Sequence, residues 1–192
     1  YRLQRWLLES NWHQGTVTIN GSWPEQANHI HTFANPSLTQ DEYARAAQFA
    51  HYKKLTSPIQ LLFVGRVDRA KGVDHLLAVA HTLKQLGVEF ELTLVGDSPE
   101  RHKFEAFIKQ NHLSHEVRFA GWQKTPNIHQ YYQRAHLFVF PSTSEGWPKV
   151  LSEAMAHGVV PIASTVGSIP QTLSQIGAGK AIPPDQVAKY VE

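Results

Sequence analysis

Residues 59–65 read Ile-Gln-Leu-Leu-Phe-Val-Gly, an apolar run that ends in a glycine. A strand that is buried on both faces of a parallel sheet has a run of this kind. Residues 73–86 follow with the apolar spacing of an amphipathic helix, which stops at Gly87. Residues 90–95 then repeat the apolar run, and Gly96 follows it. The stretch therefore predicts a strand–helix–strand unit with parallel strands.

The alternation of strands and helices continues beyond this unit. Further strands are predicted at residues 117–120, 136–140 and 159–163, and further helices at residues 101–111, 128–134, 148–157 and 169–176. We expect an α/β fold with a Rossmann-like, doubly wound parallel sheet and right-handed crossovers. Ligands of such sheets bind beyond the carboxyl ends of the strands, so the loops that follow the strands are expected to form the site.

The first quarter of the chain has a different pattern and contains no recognisable chemistry. It predicts helices at residues 1–9 and 41–54, a short strand at residues 16–19, and an irregular segment at residues 22–40, which contains Pro24 and Pro36.

The composition is that of an ordinary globular protein, with 42% hydrophobic and 18% charged residues in 192. A formal net charge of +2 gives no reason to expect nucleic acid as a partner. The chain has no cysteine, which excludes disulfides, zinc–thiolate sites and thiol nucleophiles. No apolar run approaches the ~20 residues of a spanning helix. We expect a cytoplasmic protein, for which contact with the inner face of a membrane stays open.

Twelve histidines are scattered through the chain without the spacing of metal ligands. His29 and His31 lie two residues apart, as on one face of a strand, and this spacing would let them share a metal ion. Surface imidazoles are the more common outcome for such a pair, and we expect that outcome here.

The loop after the first apolar strand carries two basic side chains. Gly65 lets the backbone turn off the strand, and Arg66 leaves the sheet at its ligand-binding end. Lys71 lies beside the start of the next helix, where free N–H groups favour an anion. A guanidinium binds two phosphate oxygens in a planar fork, and an ammonium adds a compact charge. The loop suits a diphosphate, and a solvated basic loop is the alternative.

A second stretch, residues 141–154, carries two glutamates with seven residues between them. Pro148 suits the first turn of a helix, which puts Glu145 in the preceding loop and Glu153 on the helix itself. A carboxylate is a good acceptor for a vicinal diol of a sugar, and the first N–H groups of the helix would point into the same cleft. Alternatively, Glu153 faces solvent and Glu145 is an acidic residue near a helix N-terminus.

These stretches resemble parts of the C-terminal domain of retaining GT-B glycosyltransferases of family 4, which include mannosyl-, glucosyl- and N-acetylglucosaminyltransferases. The matching segments are Gly65-Arg66-Val67 with Lys71-Gly72, Val95-Gly96-Asp97-Ser98-Pro99, Val117-Arg118-Phe119-Ala120-Gly121, Pro141-Ser142 with Glu145-Gly146-Trp147-Pro148, and Glu153-Ala154-Met155-Ala156-His157-Gly158. They occur in the family's order and cover the chain from about residue 59 to residue 184. The set is specific, whereas either glutamate motif alone is weak.

The resemblance implies a role for each matching residue. Arg66 and Lys71 correspond to the pair that neutralises the donor diphosphate. Glu145 corresponds to a glutamate near the donor sugar, and Glu153 to the glutamate that binds the nucleotide ribose.

Two backbone segments have implied roles as well. Residues 146–150 resemble the segment that hydrogen-bonds sugar hydroxyls and phosphate, and residues 118–122 resemble the one that lies against the nucleobase. The catalytic candidates are therefore Arg66, Lys71 and Glu145. The donor-binding candidates are Gly65, Arg66, Lys71, Gly121, Trp122, Glu145, Gly146, Trp147, Pro148, Lys149, Val150 and Glu153.

The resemblance also implies a reaction, that of a retaining hexosyltransferase. A sugar would pass from a UDP- or GDP-linked donor to an unknown acceptor without a protein nucleophile. Cationic side chains and a helix N-terminus would stabilise the negative charge that develops on the departing diphosphate. The sequence has no Asp-x-Asp metal motif, and we expect neither a metal nor another cofactor.

Two local departures from the family pattern stand out. Ser98 occupies a position where a second glycine is frequent, an exchange that should be tolerated. The loop from Gly167 to Gln171 resembles the family's Gly-Gly-Ile-Pro-Glu but carries Ser168 and Gln171, which leaves its local role open.

The largest departure is the lack of a counterpart of the family's N-terminal domain, which supplies most of the acceptor site. We expect residues 1–57 to be an interdomain or N-terminal remnant, and residues 58–192 to be a donor-binding domain cut short at its C-terminus. Such a fragment would bind a nucleotide sugar but would be inactive without its partner domain.

Other functions are compatible with parts of the sequence. A stand-alone nucleotide-sugar-binding or interaction module without catalysis is the main alternative. A glycan phosphorylase is disfavoured, because the chain has no match to the cofactor lysine of those enzymes. A dinucleotide oxidoreductase is disfavoured as well, because no strand is followed by Gly-x-Gly-x-x-Gly.

Overall fold

The computed structural model describes residues 2–10, 12, 14–20, 25–33 and 37–192. The elements in chain order are α1 (Arg2–Glu9), β1 (Val17–Asn20), β2 (Ile30–Phe33), α2 (Gln40–Ala50), β3 (Ile59–Val64), α3 (Val73–Gln85), β4 (Phe90–Val95), α4 (Arg101–Gln110), β5 (Val117–Gly121), α5 (Thr125–Arg134), β6 (Leu137–Phe140), α6 (Lys149–Ala156), β7 (Val160–Ser164), α7 (Ile169–Ile176), β8 (Lys180–Ile182) and a 3-10 helix (Val187–Tyr190). From β3 onward, strands and helices alternate as predicted.

Six strands form one parallel sheet in the order β5–β4–β3–β6–β7–β8. The expected doubly wound fold is confirmed, because the chain builds the sheet outward from β3 to β5 and then returns to place β6 on the other side of β3. The neighbouring strands β3 and β6 therefore form the switch point of the sheet. The carboxyl ends of the strands open a crevice at such a point.

Aromatic side chains fill the core next to the switch point. Phe63 of β3 stacks on Phe140 of β6 with ring centroids 5.8 Å apart, and Phe138 stacks on Phe140 at 5.7 Å. Leu76 and Leu77 of α3 belong to the same buried cluster. Because burial of each such side chain contributes about 1.5–3 kcal/mol, these contacts hold the ends of β3 and β6 in place.

Several boundaries differ from the prediction by a few residues, and two short elements were not predicted. Helix α5 begins at Thr125, three residues earlier than predicted, with Pro126 in its first turn, where the missing N–H costs nothing. The prediction omits β8 and the 3-10 helix. A strand of three residues in which only Ile182 is buried has no periodicity to detect.

The prediction that residues 22–40 are irregular is wrong for residues 30–33. These residues form β2, which pairs in parallel with β1, and Ile30 is only 4% exposed. A four-residue strand gives little alternation to recognise, and a parallel partner lies outside any local pattern. Pro24 and Pro36, which suggested the irregular chain, lie outside the described residues.

Helix α2 packs against α5 and α6 and ends at Ala50, four residues before its predicted end. Lys53, just beyond this helix, donates from Nζ to the carbonyl oxygens of Tyr132 at 2.8 Å and Ala135 at 2.7 Å. These bonds satisfy carbonyl groups at the C-terminus of α5. Burial lowers the pKa of Lys53 to about 8. The end of the predicted N-terminal segment is thus joined to the parallel domain.

Candidate functional site

The loop after β3 and the loop after β6 lie against each other at the switch point. The carbonyl oxygen of Ala70 accepts from the N–H of Thr143 at 3.1 Å and from Ser142 Oγ at 3.2 Å. Gly72 permits this approach, because its φ is +72° and a Cβ there would lie 1.9 Å from the carbonyl oxygen of Pro141. Two loops that are far apart in the sequence are therefore held side by side.

These loops bring Lys71 and Glu145 into an ion pair, with Nζ 2.5 Å from Oε1. The two side chains are 24% and 11% exposed, so solvent screens the pair only in part. The same carboxylate oxygen accepts from Ser142 Oγ at 2.8 Å, and Lys71 Nζ lies 5.8 Å from the centre of the Phe140 ring. Within the described residues, Oε2 of Glu145 has no hydrogen-bond partner and is left to accept from a ligand.

The loop after β7 fixes the backbone that follows Glu145. Ser168 donates twice to the carbonyl oxygen of Gly146, from its N–H and from its Oγ, both at 3.0 Å. Gly167 has a φ of +57°, and a Cβ there would lie 2.2 Å from the carbonyl oxygen of Glu145. Ser168 thus supplies a hydroxyl donor that the family's glycine would lack. The side chain of Gln171 has a buried Oε1 with no partner in the part of the chain that the structure describes.

An open pocket of about 260 Å³ lies at the carboxyl ends of β3, β4 and β5. It is lined by Val64, Gly65, Arg66, Val95, Gly96, Asp97, Trp122, Gln123 and Ile128. Three of the predicted site residues, Gly65, Arg66 and Trp122, meet here. The side chain of Arg66 is 69% exposed, and its Nε lies 3.2 Å from Asp68 Oδ2. Trp122 is exposed as well, so both side chains can turn toward a ligand in the pocket.

Gly121 supports this pocket through its backbone, since its carbonyl oxygen accepts from the N–H of Gly96 at 2.9 Å. The sequence-based choice of site residues missed Asp97, Gln123 and Ile128. Asp97 directly follows the glycine that ends β4, so the rule that sites lie at strand ends could have selected it. The same rule could have selected Gln123, which lies in the loop after β5, whereas no sequence signal points to Ile128 on α5.

Helix α6 begins one residue later than predicted, at Lys149, with Pro148 as its N-cap. No described side chain caps this helix, so its first N–H groups have no side-chain acceptor. Trp147 is half-buried and donates from Nε1 to Ser152 Oγ at 2.9 Å, which holds the indole against the helix. Lys149 is exposed and Val150 is half-buried.

The alternative interpretation, in which Glu153 faces solvent, does not describe this residue. Glu153 is half-buried and its carboxylate has a partner within the protein. Its Oε2 accepts from Tyr132 Oη at 2.8 Å, and Tyr132 is fully buried. Burial raises the pKa of Glu153, and the hydrogen bond from Tyr132 partly opposes that shift. Glu153 does not line the 260 Å³ pocket. Glu153 contacts α5 at Tyr132. Ile128, one turn earlier on the same face of α5, does line the pocket.

Two histidines lie beside Glu153. His157 Nδ1 is 2.8 Å from the carbonyl oxygen of Glu153, so this nitrogen carries the proton, and Nε2 accepts from His129 Nδ1 at 3.2 Å. The His157 ring stacks on Tyr132 with centroids 5.2 Å apart, and burial lowers the pKa of His157. His129 Nε2 lies 3.8 Å from Glu42 Oε1 of α2. No ring of this cluster was predicted to belong to a site, because only the packing of α5 against α6 brings them together.

Among the described residues, no group of three or more His, Cys, Asp or Glu side chains is placed to hold a metal ion. His29 contacts the carbonyl oxygen of Leu8 through Nε2 at 2.7 Å, and His31 is exposed. None of the helices in the described ranges is both long and apolar enough to cross a membrane.

Residues 44–192 match the family model described as "Glycosyl transferases group 1". The putative glycosyltransferase EpsF of Bacillus subtilis (strain 168) is 38% identical over 101 residues, which are 53% of this chain and 26% of EpsF. The chain spans between 26% and 38% of the length of the curated relatives that it matches.

Two solved structures share the fold. Sucrose-phosphate synthase from Thermosynechococcus elongatus has a TM-score of 0.71 at 23% identity, over 99% of this chain and 50% of that chain. The C-terminal domain of LpcC, a glycosyl transferase group 1 family protein from Francisella tularensis, has a TM-score of 0.63 at 22% identity, over 76% of this chain and 78% of that domain.

Proposed function

Since the chain belongs to the group 1 glycosyltransferase family, we propose that it binds the nucleoside-diphosphate-sugar donor of a retaining GT-B enzyme. The observation that carries this proposal is the ion pair of Lys71 and Glu145 at the switch point of the sheet. A cation and a carboxylate held side by side suit the two unlike parts of such a donor, its phosphates and its sugar hydroxyls.

In this proposal, Lys71 and Arg66 bind the donor diphosphate. Lys71 is already fixed by Glu145, while Arg66 is largely exposed and would exchange Asp68 for a phosphate. As the bond between sugar and phosphate breaks, negative charge develops on the diphosphate. Both cations, together with the first N–H groups of α6, would stabilise that charge where it develops.

Glu145 would bind the donor sugar. Lys71 and Ser142 both bind Oε1, so Oε2 is the oxygen that accepts from a sugar hydroxyl. The backbone of residues 146–150, which Ser168 holds at its first carbonyl, would supply further hydrogen bonds to sugar and phosphate. Because these groups are fixed before the donor arrives, little reorganisation opposes binding.

The nucleoside would occupy the 260 Å³ pocket and its surroundings. Trp122 presents an exposed indole on which a base can stack. Glu153, which approaches α5 one turn from Ile128 of the pocket, would bind the ribose hydroxyls.

The acceptor and its deprotonation complete the proposed reaction. An N-terminal domain would bind the acceptor, and a leaving phosphate would assist deprotonation of the acceptor hydroxyl on the same face of the sugar, which gives retention. The likeness to a structure solved as a C-terminal domain supports this division of roles. Arg66 and Lys71 supply positive charge at the diphosphate, so the proposed reaction needs no divalent metal.

Calorimetric titration of the chain with UDP and with GDP tests the proposal. We expect at least one of them to bind, Lys71→Ala to weaken binding by about tenfold or more, and the exposed Arg66→Ala to weaken it less. Arg69→Ala is the matched control, since it removes a cation from the same loop. The Arg69 side chain lines a separate groove with Asp74 and Lys103. If the folded chain binds neither nucleotide, the proposal fails.

A further inference from the structure

We infer that Tyr132 is a positioning residue for nucleotide recognition: its buried hydroxyl holds Glu153 so that one carboxylate oxygen is presented to the donor ribose. The inference rests on the proposed function, in which Glu153 binds that ribose.

The bond between the two side chains leaves half of the carboxylate available. Tyr132 Oη donates to Oε2 of Glu153 at 2.8 Å. No other described side chain donates to Glu153, so Oε1 has no partner in the described part of the chain. A hydroxyl has one proton to give and therefore binds one oxygen of a carboxylate. The other oxygen keeps its full capacity to accept from a ribose hydroxyl.

The Tyr132 ring is held on several sides, so its hydroxyl is a fixed donor. Its ring lies 5.2 Å from His157, nearly parallel at 24°, and 6.1 Å from Phe138. Its own carbonyl oxygen accepts from Lys53 Nζ at 2.8 Å. A supporting residue locked in this way keeps the group that contacts the ligand in one orientation.

Helix α5 links this pair to the nucleotide pocket. Ile128 lines the pocket, and Tyr132 lies four residues later on the same face of the helix. Residues with this spacing lie about 5–6 Å apart, a distance comparable with that between a nucleobase and the hydroxyls of its ribose. Tyr132 thus anchors Glu153 one helical turn from the wall of the pocket, and we assign the ribose of a bound nucleotide to that side.

A purely structural bond that ties α5 to α6 is the competing explanation, and ribose-modified nucleotides separate the two. We titrate the chain with UDP, GDP and their 2′-deoxy and 3′-deoxy forms. The wild-type chain should prefer the full ribonucleotide over at least one deoxy form by about tenfold. Tyr132→Phe should reduce that preference to about twofold or less, because only the ribonucleotide loses its bond to Glu153. A structural role would leave the ratio of the two affinities unchanged.

Tyr131→Phe is the matched control, since it makes the same change in the adjacent, half-buried tyrosine and should keep the preference. The ratio of two affinities on one preparation is insensitive to partial unfolding. Should Tyr132→Phe fail to fold, Glu153→Asp withdraws the carboxylate from Tyr132 by one methylene and should lose the preference too.

Each result has one meaning. If the wild-type chain binds neither nucleotide, the proposed function fails. If it binds a nucleotide but shows no preference for the full ribose, or if Tyr132→Phe or Glu153→Asp retains that preference, the inference about Tyr132 is overturned while donor binding stands.

Discussion

Glu145 and Glu153 lie on either side of the start of α6, and the fold surrounds them in opposite ways. Glu145 is paired with the ammonium of Lys71 at 2.5 Å. Glu153 has a neutral donor, Tyr132, at 2.8 Å, and burial raises its pKa. The first carboxylate therefore lies beside a cation, whereas the second keeps its charge at a cost, because burial raises its pKa.

This difference separates what the fold needs from what a ligand needs. The charge on Glu145 contributes to joining the loops after β3 and β6, so it has a structural use even without a donor. The charge on Glu153 has no described cation within bonding distance to offset its burial. Groups that cost stability are often kept for binding or catalysis, which fits the proposed role of Glu153 at the ribose.

The largest loss of stability should come from a substitution of Gly167, which packs against the backbone of Glu145. Gly167→Ala puts a methyl group 2.2 Å from the carbonyl oxygen of Glu145. Gly177→Ala is the matched control, because its φ of +63° is similar but nothing lies within 4 Å of the added carbon. In both variants an alanine in the left-handed region lowers the free energy of unfolding by about 1–2 kcal/mol. In Gly167→Ala the clash should lower it by about 2 kcal/mol more.

Urea unfolding of the two variants measures the difference. Gly167→Ala should also weaken nucleotide binding, because the loop that it displaces contacts Glu145 and Gly146. Equal losses of stability in both variants would contradict the close packing of this loop and remove the rigid support assigned to Glu145.

Replacing each glutamate by glutamine should change stability by less, and in opposite directions: Glu145→Gln should destabilise the protein and Glu153→Gln should stabilise it. Glu145→Gln removes the charge that pairs with Lys71, whose side chain is only 24% exposed, and should lower the free energy of unfolding by about 1 kcal/mol at pH 7. Glu153→Gln keeps an oxygen to accept from Tyr132 but removes a buried charge, and should raise the midpoint of thermal unfolding.

The pH dependence of the Glu153→Gln effect follows from the direction of the pKa shift. Because burial raises the pKa of Glu153 above its ordinary value of 4.5, the native state holds the proton more tightly than the unfolded chain does. Ionisation of Glu153 therefore lowers stability as the pH rises through the native pKa. The gain from glutamine should be present at pH 7 and should fade toward about pH 3, well below the ordinary pKa of 4.5, where the carboxyl is neutral in both states. Thermal unfolding at both pH values tests this, and a loss of stability at pH 7 would show that the two glutamates do not differ as described.

The two sides of the comparison also differ in how far the sequence predicts them. Lys71 and Glu145 each lie in the loop that follows an apolar run, and each run forms a strand of the parallel sheet. The carboxyl ends of parallel strands lie at one edge of the sheet. Their loops could therefore be predicted to lie at the same edge. The bounds of β3 and β4 were also predicted to the residue, because their apolar runs stop where a glycine follows.

The surroundings of Glu153 could not be predicted in this way. Tyr132 lies 21 residues before Glu153 on a different helix. Helical periodicity indicates which side of α5 is buried, but it gives no information on which residue of α6 meets Tyr132, since that depends on how the two helices pack. The strand β2 escaped prediction because its four residues give little alternation to recognise, and because its parallel pairing with β1 leaves no hairpin signal in the sequence.

The smallest effect should come from His157, which tests whether burial is what distinguishes the surroundings of Glu153. Burial lowers the pKa of His157 below its ordinary value of 6.5, with smaller contributions from His129 and Lys53, so the native state keeps this ring neutral. The unfolded chain takes up a proton as the pH falls through about 6.5, and native stability is therefore lost as the pH falls from 6.5 toward the lower native pKa. His157→Gln should flatten this dependence in urea unfolding, whereas His31→Gln, at an exposed ring on β2, should leave it unchanged. If the dependence is unchanged in His157→Gln, solvent reaches the ring, and burial no longer explains why Glu153 differs from Glu145.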